Sequence, residues 1–290
     1  MDFGRLVTAM VTPFDEALNI NLGQIEPLVN YLLDVQQSDS LVVCGTTGEG
    51  PTLSDDEKLE LISAVVRYVN GRCKVIAGTG SFDTAHSIHL TKLAEEAGVD
   101  GILLVTPYYS RPSQEGLYCH FSNVAEATKL PVMLYNIPKR SAINIEYKTM
   151  LRLAEIPNIV ATKEAHGDLE HITSLVSGAP EQFRVYCGDD SLTLPMLSIG
   201  SYGVVSVASH VIGAEMKLMI EQYLKGEPAA AARTHAELLP VFKGLFTVPS
   251  PAPVKHALKL RGIDAGGVRL PLLAVTEEEG GLIESLRTEW

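Results

Sequence analysis

Five strand-like runs end in residues able to do organic chemistry or bind its substrates. Lys163 follows Ile159-Val160-Ala161-Thr162, and Tyr135 closes the run that begins at Val132. Thr46 and Thr47 lie in Gly45-Thr46-Thr47-Gly48-Glu49, and Tyr109 closes Thr106-Pro107-Tyr108-Tyr109. Arg140 comes soon after Tyr135-Asn136-Ile137-Pro138, and Gly188-Asp189-Asp190 marks a later end. A lysine in an apolar enclosure loses hydration, and its neutral amine is the form that attacks a ketone to make an imine. A nearby phenol can carry protons to and from the intermediate's oxygen if another hydroxyl accepts and returns them; Tyr135 and Thr46 suit those parts. The Gly-Thr-Thr-Gly turn is rich in N–H and hydroxyl donors, which fits a small carboxylate. Arg140 presents a planar fork to another.

Each residue also has a plain structural reading. Lys163 can snorkel from a strand end, Tyr135 can fill an aromatic slot, the Thr-Thr turn can be an ordinary strand-to-helix link, and Arg140 can be a solvated charge. Position alone does not decide between these readings; the combination favours chemistry. Glu164, Asp189 and Asp190 read as partners for backbone amides or basic neighbours, and His166 as an exposed loop histidine. Gly78-Thr79-Gly80 is too short a fragment to count as a nucleotide fingerprint.

The elements that must hold these groups are short β-branched runs alternating with helical patterns. The runs are Arg5–Val11, Leu41–Cys44, Lys74–Ala77, Ile102–Thr106, Val132–Tyr135, Ile159–Thr162, Arg184–Cys187 and Val204–Val207. Nearly continuous apolar runs imply a parallel sheet buried on both faces. Eight such units predict a (β/α)8 barrel, in which reacting groups come from the C-terminal strand ends. Between the runs, Ser54–Val69 opens on a capping box, Ser54 with Glu57, and the helix from Thr84 to Ala97 stops at Gly98. Beyond Leu224 the pattern is helical only: Ala229–Phe246, Val254–Leu260 and Glu277–Arg287. The reading is therefore a barrel over 1–225 carrying the site, and a C-terminal helical appendage over 226–290.

Composition narrows the classes. The 290 residues are 46% hydrophobic and 20% charged, with net charge -12. That is a globular profile with no basic face for nucleic acid or anionic lipid. The start of the chain lacks the pattern of a secretory signal. The uncharged stretch from Ser191 to Ala214 is broken by Pro195 and by three glycines, against a membrane helix. Cys44, Cys73, Cys119 and Cys187 are widely spaced with no metal pattern, which fits a reducing cytoplasm.

These motifs, in order from Leu6 to about Leu270, resemble the dihydrodipicolinate synthase / N-acetylneuraminate lyase family. They include Val11-Thr12-Pro13-Phe14, Gly45-Thr46-Thr47-Gly48-Glu49, Ala77-Gly78-Thr79-Gly80, Tyr135-Asn136-Ile137-Pro138 and Lys163-Glu164-Ala165. The resemblance implies a Schiff-base lyase of class I aldolase type that condenses pyruvate with aspartate 4-semialdehyde in diaminopimelate and lysine synthesis. It implies that Lys163 forms the pyruvate imine. Thr46, Tyr135 and Tyr109 would relay protons, Tyr109 reaching in from a neighbouring subunit. It further implies that Thr47 and Thr46 hold the pyruvate carboxylate, that Arg140 binds the semialdehyde carboxylate, and that main-chain groups near Gly188 and Val205 line the pocket. Homotetramers built as dimers of dimers, without metal or organic cofactor, are usual in the family.

Arg140 and the Thr-Thr pair resemble the semialdehyde-using branch. The alternatives are a pyruvate aldolase acting on a sugar acid of the N-acetylneuraminate or 2-keto-3-deoxygluconate type, and a barrel kept as a non-catalytic scaffold. Ser141-Ala142 stands where Thr-Gly is usual, and His166 replaces a small or hydroxylic residue. Where lysine-inhibited members bind lysine, this chain has Lys58, Phe82 and His86, with Tyr108 retained. A cationic Lys58 repels an ammonium and Phe82 cannot hydrogen-bond a carboxylate, so lysine feedback is expected to be weak or absent.

Overall fold

The computed structural model describes residues 2–286. Eight parallel strands close into a barrel in sequence order: β1 (Leu6–Ala9), β2 (Ser40–Val43), β3 (Lys74–Gly78), β4 (Gly101–Val105), β5 (Val132–Asn136), β6 (Ile159–Glu164), β7 (Arg184–Cys187) and β8 (Gly203–Ser206). Pairing of β1 with β8, Val7 opposite Val205, completes the ring. Helices fill the crossovers: α1 (Ile25–Asn30), α2 (Asp55–Val69), α3 (Thr84–Glu96), α4 (Gln114–Glu126), α5 (Pro138–Ser141), α6 (Tyr147–Ala154), α7 (Leu169–Gly178), α8 (Thr193–Ser198) and α9 (Ser209–Leu224). Then follow α10 (Pro228–Gly244), α11 (Ala252–Leu260) and α12 (Glu277–Ser285). All eight sequence-predicted runs become strands, with Arg184–Cys187 matched at both ends and no end shifted by more than two residues. The main trim is at the buried end of β1, where Val11 leaves the ladder and its N–H bonds His210 instead. Of the expected Glu277–Arg287 helix, Arg287 lies outside the described residues.

Strand alternation sorts the side chains onto two surfaces. Leu41, Val43, Val75, Ile102, Leu104, Leu134, Val185 and Val204 face outward into one large core beneath the helices. Val7, Ala9, Val42, Ile76, Leu103, Met133, Ala161, Tyr186 and Val205 fill the barrel interior. This two-sided burial explains why the strands read as unbroken apolar runs. The C-terminal helices join the outer core through Leu238, Val241, Phe242, Val254, Leu258 and Ile283. Among the described residues no helix is long and apolar enough to cross a membrane.

Local signals match the helix starts. Ser54 Oγ accepts from the Glu57 N–H while Glu57 Oε2 accepts from the Ser54 N–H, closing the expected capping box. Gly98 ends the α3 region at a φ of 85°, where a side chain would be strained.

Candidate active site

The strand β6 ends in Lys163 and Glu164, where the strand-end reading put them, the two residues beyond the apolar run Ile159–Thr162. Tyr135 pairs with Lys163, and Lys163 with Tyr186, so three inward side chains stand abreast on β5, β6 and β7. Lys163 shares Ala161's face because it lies two residues on, and that face is the barrel interior. The lysine is 5% exposed, and among the described residues it forms no ion pair. Its Nζ lies 4.2 Å from the centre of the Tyr135 ring. Gly188, just past β7, leaves room for its stem: a Cβ there would come within 3.1 Å of both Cγ and Cε of Lys163. Val205 projects from β8 into the same interior and is buried.

Of the three side chains abreast, Tyr135 borders a cavity of about 450 Å³ whose lining also includes Thr46, Arg140, Tyr108, Lys58 and His86. Its lining brings together Thr46 and Tyr135, two of the residues expected to relay protons, with Arg140, whereas Lys163, Gly188 and Val205 are not among the lining residues. Thr47 is buried in the same turn and is not among the lining residues. Tyr109 is not brought to the cavity by its own chain. It is 95% exposed at a φ of 71°, while its neighbour Tyr108 lines the wall.

The turn bearing Thr46 and Thr47 is tightly specified. The Glu49 N–H bonds Thr46 O and the Gly50 N–H bonds Gly45 O. Only glycine fits at 50, since a Cβ would approach Cys44 O to 2.2 Å. Cys44 and Glu49 take left-handed backbone conformations, at φ 57° and 55°, each costing about 1–2 kcal/mol for an L residue. The Glu49 carboxylate is buried and reaches the C-terminal segment, where Oε1 pairs with Lys255 Nζ at 2.8 Å and Oε2 accepts from the Arg269 N–H. Burial pushes the Lys255 amine down to about 8, against the pull of Glu49. Sequence reading missed this pairing, because no local pattern links residues so far apart.

The loop carrying Arg140 is held from the outer side of β5 and β6. Asn136 Nδ2 donates to Glu164 Oε2 and to Asn144 Oδ1, and the Ile145 N–H bonds Asn136 Oδ1. Burial pushes the Glu164 carboxyl up to about 8 despite donation from Asn136 and Thr162. Within that loop Ser141 is buried and its hydroxyl bonds Ile137 O, while Ala142 takes a φ of 58°. The departure at Ala142 thus falls where glycine would avoid strain.

The structural roles expected of Asp189 and Asp190 hold: Asp189 bonds the Ser191 N–H, and Asp190 Oδ2 accepts from the Val207 and Ala208 N–H groups. His166 differs from its reading as an exposed loop residue. It is half-buried and stacks on His171 with ring centres 4.7 Å apart. The helix start at Asp168 turns the chain so that residues five apart meet face to face, and this geometry is invisible to spacing alone.

Comparisons with known proteins agree with this architecture. The model of the dihydrodipicolinate synthetase family matches residues 2–286. The chain is 57% identical to the 4-hydroxy-tetrahydrodipicolinate synthase of Bacillus subtilis, over 96% of each chain. A crystal structure of a dihydrodipicolinate synthase from Bacillus anthracis superposes with a TM-score of 0.97 at 52% identity, covering 99% of this chain and 98% of that one. The Cyanidioschyzon merolae enzyme with lysine bound gives a TM-score of 0.97 at 44% identity, with the same coverage of both chains.

Proposed function

Because the chain belongs to the dihydrodipicolinate synthetase family, we propose that it condenses pyruvate with aspartate 4-semialdehyde through an imine on Lys163, giving 4-hydroxy-tetrahydrodipicolinate. The observation that carries this reading is a buried amine inside the barrel beside the ring of Tyr135, a residue that lines a cavity together with Thr46 and Arg140. Attack of the Lys163 nitrogen on the keto carbon of pyruvate makes a carbinolamine. Its oxygen takes a proton and leaves as water, and the imine remains. The imine draws electrons from the adjacent methyl group, whose lost proton leaves an enamine that adds to the aldehyde carbon, and the aldehyde oxygen takes a proton to become the hydroxyl. The amino group of the semialdehyde then attacks the re-formed imine carbon, closes the ring and expels the Lys163 amine. This chemistry calls for no metal or organic cofactor, because the imine is itself the electron sink.

Tyr135 is the proton carrier nearest the amine, and Thr46 is its hydroxyl partner at the cavity wall. Thr47 and the surrounding turn amides hold the pyruvate carboxylate, with Gly188 and Val205 shaping the interior around it. Arg140 takes the carboxylate of the semialdehyde. Tyr109 completes the relay from a second copy of the chain, since its own side chain faces solvent. A homotetramer built as a dimer of dimers supplies that copy. Residues 1–225 act as the catalytic barrel and 226–290 as its C-terminal helical unit. A reducing cytoplasm suits four free cysteines. The sugar-acid reading is disfavoured by Arg140 in the cavity lining, a cation suited to a carboxylate-bearing second substrate.

The test is borohydride reduction in the presence of pyruvate followed by peptide mass analysis. A pyruvate-derived adduct on Lys163 is expected. Its absence there, or near-normal turnover by Lys163→Ala, defeats the proposal.

A further inference from the structure

The turn that carries Thr46 and Thr47 leaves the barrel between β2 and α2, yet the two groups that hold its carboxylate come from the far end of the chain. Lys255, on α11, pairs with Glu49 Oε1 at 2.8 Å, and the Arg269 N–H bonds Glu49 Oε2 at 2.8 Å. Glu49 is 2% and Lys255 3% exposed, so water competes little with the pair. Lys255 is itself anchored: Nζ donates to Gly267 O at 2.6 Å and sits 4.2 Å from the centre of the Phe14 ring. The Arg269 side chain extends the hold by donating to Leu18 O, Thr52 O and Glu57. The C-terminal segment thereby grips the loop after β1 and the C-terminal end of the Thr46–Thr47 turn.

Glu49 connects this grip to the reacting groups. Its N–H bonds Thr46 O and its carbonyl accepts from the Thr52 N–H and hydroxyl, while its backbone keeps a left-handed conformation that L residues rarely adopt. Pulling on the carboxylate therefore acts directly on the backbone three residues from Thr46 and two from Thr47. Neither Glu49 nor Lys255 lines the cavity that contains Thr46 and Tyr135.

We propose that the buried Lys255–Glu49 pair is a positioning device through which the C-terminal unit sets the Thr46–Thr47 turn for pyruvate. This inference rests on the reading of that turn as the pyruvate carboxylate site. Removing the pair should raise the pyruvate KM and slow imine formation while leaving the semialdehyde KM nearly unchanged, because Arg140 is held by a different network.

The decisive variant replaces both partners, Glu49→Met with Lys255→Met, since removing one alone strands a buried charge whereas exchanging a buried pair for apolar residues is often tolerated. Thermal melting establishes that the double variant is folded at the assay temperature. The expected result is a loss of about tenfold or more in kcat/KM for pyruvate, with a parallel slowing of borohydride trapping and less than about a twofold change in the semialdehyde KM. A folded double variant with the wild-type pyruvate KM and trapping rate overturns the proposal and makes the pair a strut. Should the double variant not fold, Glu49→Gln keeps the side-chain shape and is read by the same ratio of KM values: an unchanged ratio overturns the proposal. Failure of the underlying reading looks different, since wild-type protein would then give no pyruvate adduct on Lys163.

Discussion

Replacing Gly188 by Ala is the sharpest test of the proposed nucleophile's geometry, because a single methyl group would press on the lysine stem and on Ala165, two residues along the same strand end. The Cβ would lie 3.1 Å from Lys163 Cγ, 3.1 Å from Lys163 Cε and 3.0 Å from Ala165 Cβ. Carbon atoms attract best at about 3.5–4.0 Å, so the stem must give way by roughly 0.4–0.9 Å. Backbone strain does not enter, because Gly188 is not among the positive-φ residues. Overpacking of this kind costs about 1–3 kcal/mol, which lowers the melting temperature by a few degrees without unfolding the chain. The chemical penalty is larger. Misplacing a reacting group by about 1 Å can cost 100-fold, so imine formation should slow by about 10- to 100-fold. Borohydride trapping at saturating pyruvate, sampled over time and read by intact mass, measures that step apart from the second substrate. If Gly188→Ala traps pyruvate within about twofold of the wild-type rate, the nucleophile does not depend on this packing and the assigned geometry is wrong.

Arg140→Ala should raise the semialdehyde KM by about tenfold or more while the rate of pyruvate trapping stays near wild type, since a charged hydrogen bond is worth about 1.5–3 kcal/mol; an unchanged semialdehyde KM would remove its binding role. His210 is buried between β8 and β1, with Nε2 accepting from the Val11 N–H and Nδ1 donating to Val207 O, and burial holds its pKa down to about 4. The unfolded chain takes up this proton first, near pH 6.5, so stability is full above about 6.5 and declines as pH falls toward 4, by up to about 3 kcal/mol. Urea unfolding across that range should show the decline, and His210→Gln should make it shallower without abolishing it, because burial holds His120 down to about 4 as well; an equally steep slope in the variant would contradict this origin. Lysine should not inhibit at micromolar concentration in steady-state assays, because Asp55 is already shared by Lys58 and His86 and Phe82 packs edge-on against Tyr108. Strong inhibition would show that these side chains rearrange to admit the ligand.

What the amino-acid order determines by itself is local. Apolar runs of strand length separated by helical periods specify eight parallel units, and the Ser54–Glu57 box and Gly98 set helix ends through contacts only a few residues long. Lys163, Tyr135 and the Thr-Thr turn could be singled out because strand ends are where a barrel gathers reacting groups. Pairing decides the rest. Lys163 belongs to β6 because Tyr135 and Tyr186 flank it in register, and only closure of the ring turns that face into an enclosed interior. His166 meets His171 because a helix start redirects the chain, and Tyr109 turns outward through its left-handed backbone. The Lys255–Glu49 pair has no signature in sequence at all. Its partners meet only after the C-terminal helices dock on the barrel. Strand and helix periodicity is written between near neighbours, whereas burial and ion pairing depend on which distant surfaces the folded chain brings together.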